Sequence, residues 1–252
     1  MLKREYTTEL LTGRDSSRRK SRMPARIDFL QSLSGLFLAL FIMFHLLFES
    51  SILLGKEAMY TLTKFFEGEP FIEGGEPLII SALAALIFTL FVVHAGVALR
   101  KFPSSYREYR RYIEHKALLN HNDTNLWYVQ ITTGFIMFFL GSIHLYMMMT
   151  QPQNIGPYAS SDRIYSDWMW PMYLVLLISV VLHGGIGMYR LIIKWGWFDG
   201  KDPRANRKKS RVVIKFLVGA YLLLGLASLG TYMKIGYEHQ SEYGKRYVEQ
   251  QK

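Results

Sequence analysis

Residues 27–54, IDFLQSLSGLFLALFIMFHLLFESSILL, form an apolar run long enough to cross a bilayer, with His45 set inside it. Its pattern returns later in the chain. Gln31, Ser34, Gly35 and His45 recur as Gln130, Thr133, Gly134 and His144, so both stretches read Q-x2-[ST]-G-x9-H. A second pattern is duplicated as well. His94-Ala95-Gly96-Val97-Ala98 followed by Arg100 reappears as His183-Gly184-Gly185-Ile186-Gly187 followed by Arg190. An ionisable side chain inside hydrocarbon is costly and marks function, so two duplicated pairs of histidines point to two metal sites.

Working outward from this run, the apolar residues come in blocks rather than in stripes. Five blocks reach the roughly 20 residues that a membrane-crossing helix needs: 27–54, 77–99, 125–150, 168–193 and 212–236. None has the alternation of a strand. Pro103, Pro152, Pro157 and Pro203 fall between blocks, where a missing N–H costs least. The expected fold is therefore an all-α membrane protein with five transmembrane helices. Four of them would form a bundle with a parallel internal repeat, and the fifth, Val212 to Met233, carries no histidine and flanks it. Three regions follow: an arm over 1–26, a transmembrane domain over 27–238 and a tail over 239–252.

The net charge of +10 raises the question of nucleic acid, and its distribution answers with topology instead. Lys and Arg number eight before residue 27, six across 100–116 and seven across 194–211, against seven on the opposite side. By the positive-inside rule the N-terminal arm, the second loop and the fourth loop are cytoplasmic, and five spans put the C-terminus outside. With about 26 polar and basic residues ahead of the first apolar block, no cleavable leader is expected. The absence of cysteine excludes disulfides, protein-ligated iron–sulfur clusters and covalent c-type haem. Any haem must be non-covalent and held by histidine.

Topology sets the depth of each histidine. His45 lies 19 residues beyond Arg26 and His144 lies 20 beyond Thr124, about 30 Å along a helix and so near the outer face. His94 lies 6 residues before Arg100 and His183 lies 7 before Arg190, about 10 Å from the cytoplasmic edge. The repeat relates segments one and two to three and four about an axis along the membrane normal, so histidines of equal depth should face each other across the core. Facing imidazoles in a helix bundle suit axial ligation of haem iron. The expectation is thus two haems b, about 20 Å apart along the helix axis: one held by His45 and His144, the other by His94 and His183. Gly96, Gly134, Gly141, Gly184, Gly185 and Gly187 lie near these histidines and would let backbone approach a flat macrocycle; helix packing through small residues is the competing reading. His115, His121 and His239 lie in polar connections and are read as solvated.

Propionate carboxylates need donors, and Gln31, Ser32, Trp127 and Lys194 lie at the cytoplasmic ends of their segments, with Arg163 in an outer loop. Lys194 and Trp127 serve equally as interfacial anchors. A lipid-soluble quinone is the natural electron partner within the membrane, and oxidising a quinol releases protons that a carboxylate must accept. The outer loop 55–76 offers Glu57, Glu67, Glu69, Glu73 and Glu76, with Glu49 one turn beyond His45; Glu67 stands out because it follows Phe65 and Phe66. At the inner face, Arg18-Arg19-Lys20 and the run Arg107 to Lys116 could dock an iron–sulfur subunit. Tyr106, Tyr109 and Tyr112 alternate with arginines there as on an interfacial helix.

Several stretches carry a family resemblance: Ser21-Arg22-Met23-Pro24-Ala25 through Gln31-Ser32 to His45, Phe71-Ile72-Glu73-Gly74-Gly75, Arg100-Lys101-Phe102-Pro103, Met137 to Ser142 with His144, Gln151-Pro152-Gln153, Trp168-Met169-Trp170-Pro171 and Lys194 to Gly200. Over about residues 18–235 the chain resembles the dihaem cytochrome b subunit of bacterial quinol:fumarate reductase and succinate dehydrogenase. The resemblance implies a bacterial inner-membrane complex with two cytoplasmic partners, a flavoprotein carrying FAD and the fumarate/succinate site, and an iron–sulfur subunit; it allows a dimer of such heterotrimers. It implies a proximal haem on His94 and His183 and a distal haem on His45 and His144. Glu67 then matches the carboxylate for menaquinol oxidation, and Gln31, Ser32, Trp127, Arg163 and Lys194 match the propionate partners. One departure stands at Val181, where some relatives carry a glutamate that moves protons alongside electrons. Without it, the reaction is expected to be electrogenic or to run mainly from succinate to quinone.

Two other readings compete. The cytochrome b of a hydrogenase or formate dehydrogenase also uses bundle histidines, but its catalytic partner commonly faces outward, whereas the larger basic surface here is cytoplasmic. A transporter with a histidine proton relay would contain no porphyrin.

Overall fold

The computed structural model describes residues 21–103, 105–119 and 122–248. Arg18-Arg19-Lys20, most of the expected N-terminal arm, His121 and the last residues of the tail lie outside the described residues. The described chain is built from helices: α1 (Met23–Glu49), α2 (Lys56–Phe66), α3 (Leu78–Leu99), α4 (Tyr106–Leu119), α5 (Asn122–Thr150), α6 (Pro157–Tyr165), α7 (Trp170–Trp195) and α8 (Pro203–Glu238). Five of them, α1, α3, α5, α7 and α8, are long and apolar enough to cross a membrane. Their outward faces carry Phe37, Phe44, Leu86, Phe139, Phe216 and Leu223 exposed, a burden that hydrocarbon removes and water would not.

Helix ends depart from the apolar blocks for a local reason. α1 begins at Met23, with Pro24 in its first turn, where a proline's missing N–H costs nothing. α8 begins at Pro203, nine residues before Val212, because Asp202 accepts a hydrogen bond from the Ala205 amide at 3.1 Å and so caps a polar first stretch. Hydropathy sees the apolar part of a helix, not its capped and solvated turns. α7 stops at Gly196, whose φ of 64° is left-handed, the conformation that glycine takes most cheaply at a helix end. The turn to α8 is closed by Arg207, which donates to both oxygens of Asp199 at 2.6 and 2.9 Å. That hydrogen-bonded guanidinium holds the Asp199 carboxyl below the usual carboxylate range.

The helices α1, α3, α5 and α7 pack in a closed ring, each against the next, and α7 returns to α1. α8 lies outside the ring, against α7. At one end, here the basic end, Asp28 of α1 forms ion pairs with Lys101 beyond α3 and Lys194 of α7. The opposite, capped end is closed by α2, α6 and the turn Ser50–Leu54, around buried Ile52, Met59, Ile164 and Tyr232.

His239 corrects a reading made from sequence. It is 5% exposed rather than solvated; its Nδ1 lies 2.8 Å from Asp162 Oδ1, and its ring stacks on Tyr158 at 4.0 Å between centroids. The same carboxylate accepts the Gly244 amide at 3.0 Å, and Tyr243 donates to Asp167 at 2.8 Å. The segment after α8 is thereby strapped across α6. A partner 77 residues away in sequence converts a polar connection into buried structure.

Candidate functional site

One cavity of about 1240 Å³ runs the length of the four-helix ring. Its wall includes Gln31, Lys101, Trp127, Arg190 and Lys194 toward the basic end and Glu49, Phe66, Arg163, Tyr173 and Tyr232 toward the capped end; His45, His94, His144 and His183 all line it. This exceeds the roughly 300–1,000 Å³ of a pocket for one drug-sized ligand.

The structure brings His45 to His144 and His94 to His183. The ring centroids are 6.0 Å apart in the first pair and 6.4 Å in the second. Two imidazoles on one metal, each with its nitrogen about 2.0–2.1 Å from the ion, stand about 6 Å apart between centroids. Both pairs are therefore spaced to share one iron. No cluster of three or more His, Cys, Asp or Glu suited to holding a bare ion occurs among the described residues.

At the basic end the duplicated Q-x2-[ST]-G element has a definite job. His183 Nδ1 donates to the Gln130 carbonyl at 2.9 Å and lies 3.5 Å from Thr133 Oγ1. His94 is held likewise, by the backbone of Gln31 and by Ser34 Oγ at 3.1 Å. Engaging Nδ1 in this way sets the tautomer and leaves the lone pair of Nε2 available to a metal. The glycine of each element lets the ring lie against backbone. A Cβ on Gly35 would sit 2.8 Å from His94 Cε1, and one on Gly134 would sit 3.0 Å from His183 Cε1. Each motif thus seats the histidine of the neighbouring helix, α1 serving α3 and α5 serving α7.

The other glycines divide. A Cβ on Gly185 would fall 2.2 Å from Val218 on α8, so this one serves helix packing; Gly96 and Gly184 face open space.

The capped end is held differently. The Phe41 ring lies nearly parallel to His45 at 5.6 Å, and Tyr173 meets His144 edge-on at 5.7 Å. His144 Nδ1 is buried with no hydrogen-bond partner among the described residues. Around this pair stand a carboxylate and a guanidinium that sequence reading had not joined: Tyr232 donates to Glu49 at 3.0 Å, while buried Arg163 binds the Asn154 carbonyl. Tyr232 comes from α8, as does Ser228, which donates to Ser50 at 3.1 Å. The fifth helix thus supplies part of the wall; its lack of histidine hid this.

Among the expected propionate partners, Ser32 accepts from Lys194 at 2.7 Å beside Asp28, and Trp127 and Gln31 line the same end. Gln31 Oε1 is buried without a partner among the described residues. Arg163 lies at the far end. Glu67 is 4% exposed and sits 2.7 Å from Lys64 Nζ, behind Phe66; it does not itself line the cavity. Burial works against the Lys64 ammonium, but the hydrogen bond and charge of Glu67 outweigh it and raise its pKa above the ordinary lysine value. Orphaned polar atoms, paired imidazoles and basic side chains at the cavity's end together fit a porphyrin with carboxylate arms.

An apolar helix ring enclosing paired histidines in one lengthwise cavity is the architecture of a membrane-embedded cytochrome of the b type. Residues 106–224 match the family model of the succinate dehydrogenase/fumarate reductase transmembrane subunit. The fumarate reductase cytochrome b subunit of Wolinella succinogenes is 53% identical over 93% of this chain and 91% of its own length. Its counterpart in Helicobacter pylori is 46% identical over 95% of this chain and 92% of its own length. The chain belongs to the family of fumarate reductase/succinate dehydrogenase cytochrome b membrane subunits.

Proposed function

We propose that this chain carries electrons between menaquinone in the bilayer and a succinate/fumarate-converting flavoprotein with its iron–sulfur subunit, through two haems b. His94 and His183 would hold one near the basic end, and His45 and His144 the other near the capped end. When bound, the haems supply reversible one-electron chemistry. The single observation that carries this reading is the spacing of both imidazole pairs, 6.4 and 6.0 Å, in one continuous cavity.

The chain's own residues do the rest. Gln31, Ser34, Gln130 and Thr133 fix the inner imidazoles. Gln31, Ser32, Trp127 and Lys194 offer donors to carboxylates at the basic end, and Arg163 does so at the capped end. The basic end faces the cytoplasm, in line with its excess of Lys and Arg, and docks the iron–sulfur subunit. At the outer face Glu49 lines the cavity while Glu67 lies one residue beyond its wall; protons released by a quinol leave through these carboxylates. α7 contains neither Asp nor Glu, and Val181 is buried in an apolar cluster with Leu177 and Val180. No carboxylate of α7 therefore accompanies electrons across, and turnover with an outer quinone site moves net charge. This membrane arrangement, with the N-terminus inside and the C-terminus outside, divides into the arm over 1–26, the core over 27–238 and the tail over 239–252.

Purification with whatever co-purifies tests the reading. The expected result is two haems b per chain, by pyridine haemochrome, together with a flavoprotein and an iron–sulfur protein. A haem-free preparation would refute it. In liposomes, turnover should respond to the membrane potential; indifference to it would remove the electrogenic part alone.

A further inference from the structure

Tyr112 is the α4 side chain that, among the described residues, reaches the long cavity. That helix is rich in charge, with Arg107, Glu108, Arg110, Arg111 and Glu114, and lies outside the bilayer-crossing set. The Tyr112 ring packs on Trp127 at 4.6 Å between centroids and 57° between planes. Its hydroxyl is shut off from solvent and has no hydrogen-bond partner among the described residues. Leaving a buried hydroxyl unpaired is unfavourable, so the geometry calls for an acceptor in the space it faces. Burial raises the phenol pKa, although the Arg190 charge pulls the other way, and the group stays a protonated donor. The same end of the cavity gathers Trp127, Gln31, Lys101, Arg190 and Lys194. A set made of an indole N–H, an amide and three cations, two of them sharing Asp28, carries excess positive charge and donors complementary to an anion, and the hydroxyl adds one more donor.

We propose that Tyr112 donates a hydrogen bond to a carboxylate of the haem held by His94 and His183, tying the surface helix α4 to the inner redox site. The inference rests on the two-haem reading above. A donor on a propionate draws negative charge away from the porphyrin and favours the reduced iron. Removing it should therefore lower the midpoint potential of the inner haem and leave the outer one unchanged. Polar residues at the surface of α4 would then influence the inner haem through this one contact.

Tyr112→Phe in the purified complex tests this, since it keeps the ring against Trp127 and removes only the hydroxyl. The expected result is two haems as in the wild type, a lowered midpoint for the inner haem alone, and a shifted propionate bending band in resonance Raman spectra. Repeating the titration in a His144→Ala background identifies the inner signal. Midpoints and propionate bands that coincide with the wild type would overturn the inference while leaving the two-haem reading intact, as would a shift confined to the outer haem. A wild-type complex with no haem at the His94–His183 pair overturns that reading, and this inference with it.

Discussion

The two histidine pairs come from one repeat, yet they are held by different physics. The inner pair is fixed through hydrogen bonds: each Nδ1 meets a backbone carbonyl and a hydroxyl, and each ring lies against a glycine. Contacts with Phe41 and Tyr173 position the outer pair instead, and its surroundings hold a carboxylate, a guanidinium and two tyrosines. A motif duplicated in sequence is thus specialised by what stands opposite it. At the basic end both imidazoles are held by groups already in place on the neighbouring helix. The capped end keeps polar groups facing the cavity, the arrangement that the proposed quinone chemistry would use.

Replacing ligands gives the largest expected contrast between the ends. His183→Ala and His144→Ala should each reduce the haem count from two to one, measured as pyridine haemochrome. Succinate should still reduce the haem remaining in His144→Ala, which stays next to the iron–sulfur partner. In His183→Ala the remaining haem should be cut off from succinate. Equal reduction in both variants would erase the distinction between the ends.

Next in size is the glycine contrast. An added methyl at Gly35 or Gly134 collides with a histidine ring, and overpacking of this kind costs roughly 1–3 kcal/mol; inner-haem occupancy should fall. Gly96, which does not line the cavity and where a Cβ would meet nothing within 4 Å, should accept alanine with both haems retained. The absorbance of each haem in redox titrations checks both.

At the capped end, Asp162→Ala leaves buried His239 without its partner, for a loss of about 1–3 kcal/mol. The segment after α8 should become more sensitive to protease while the inner haem's midpoint stays put. An unaltered cleavage pattern would mean that the strap is held without the Asp162–His239 contact.

Smallest is the loss of one hydroxyl acceptor at the inner pair. Ser34→Ala or Thr133→Val makes the imidazole less basic, so the inner midpoint should rise by an amount equivalent to roughly 1 kcal/mol, on the order of 40 mV for one electron. The outer midpoint should not move; if it does, the two ends are not separately held.

Much of this was legible in residue order alone. Five apolar blocks give the five membrane-length helices, and depth counted along them groups His45 with His144 and His94 with His183, which the fold brings within reach. What stayed hidden is what crosses between helices. The [ST]-G element precedes His45 and His144 by ten residues or more, so it reads as part of their own motif, whereas in space it seats His94 and His183. Tyr232 looks like an ordinary aromatic in a histidine-free segment, and only packing of α8 brings it to Glu49. His239 looks solvated because its partner, Asp162, is remote in the chain. Local pattern encodes which face of a helix is apolar, but not which neighbour fills that face.

The most direct test is an experimental density map of the purified complex at a resolution that shows axial ligation. The expected result is one flat macrocycle between His94 and His183 and a second between His45 and His144, each iron bound by both rings. A map in which either pair of imidazoles meets without a macrocycle between them, or binds iron with a different partner, would contradict the proposal.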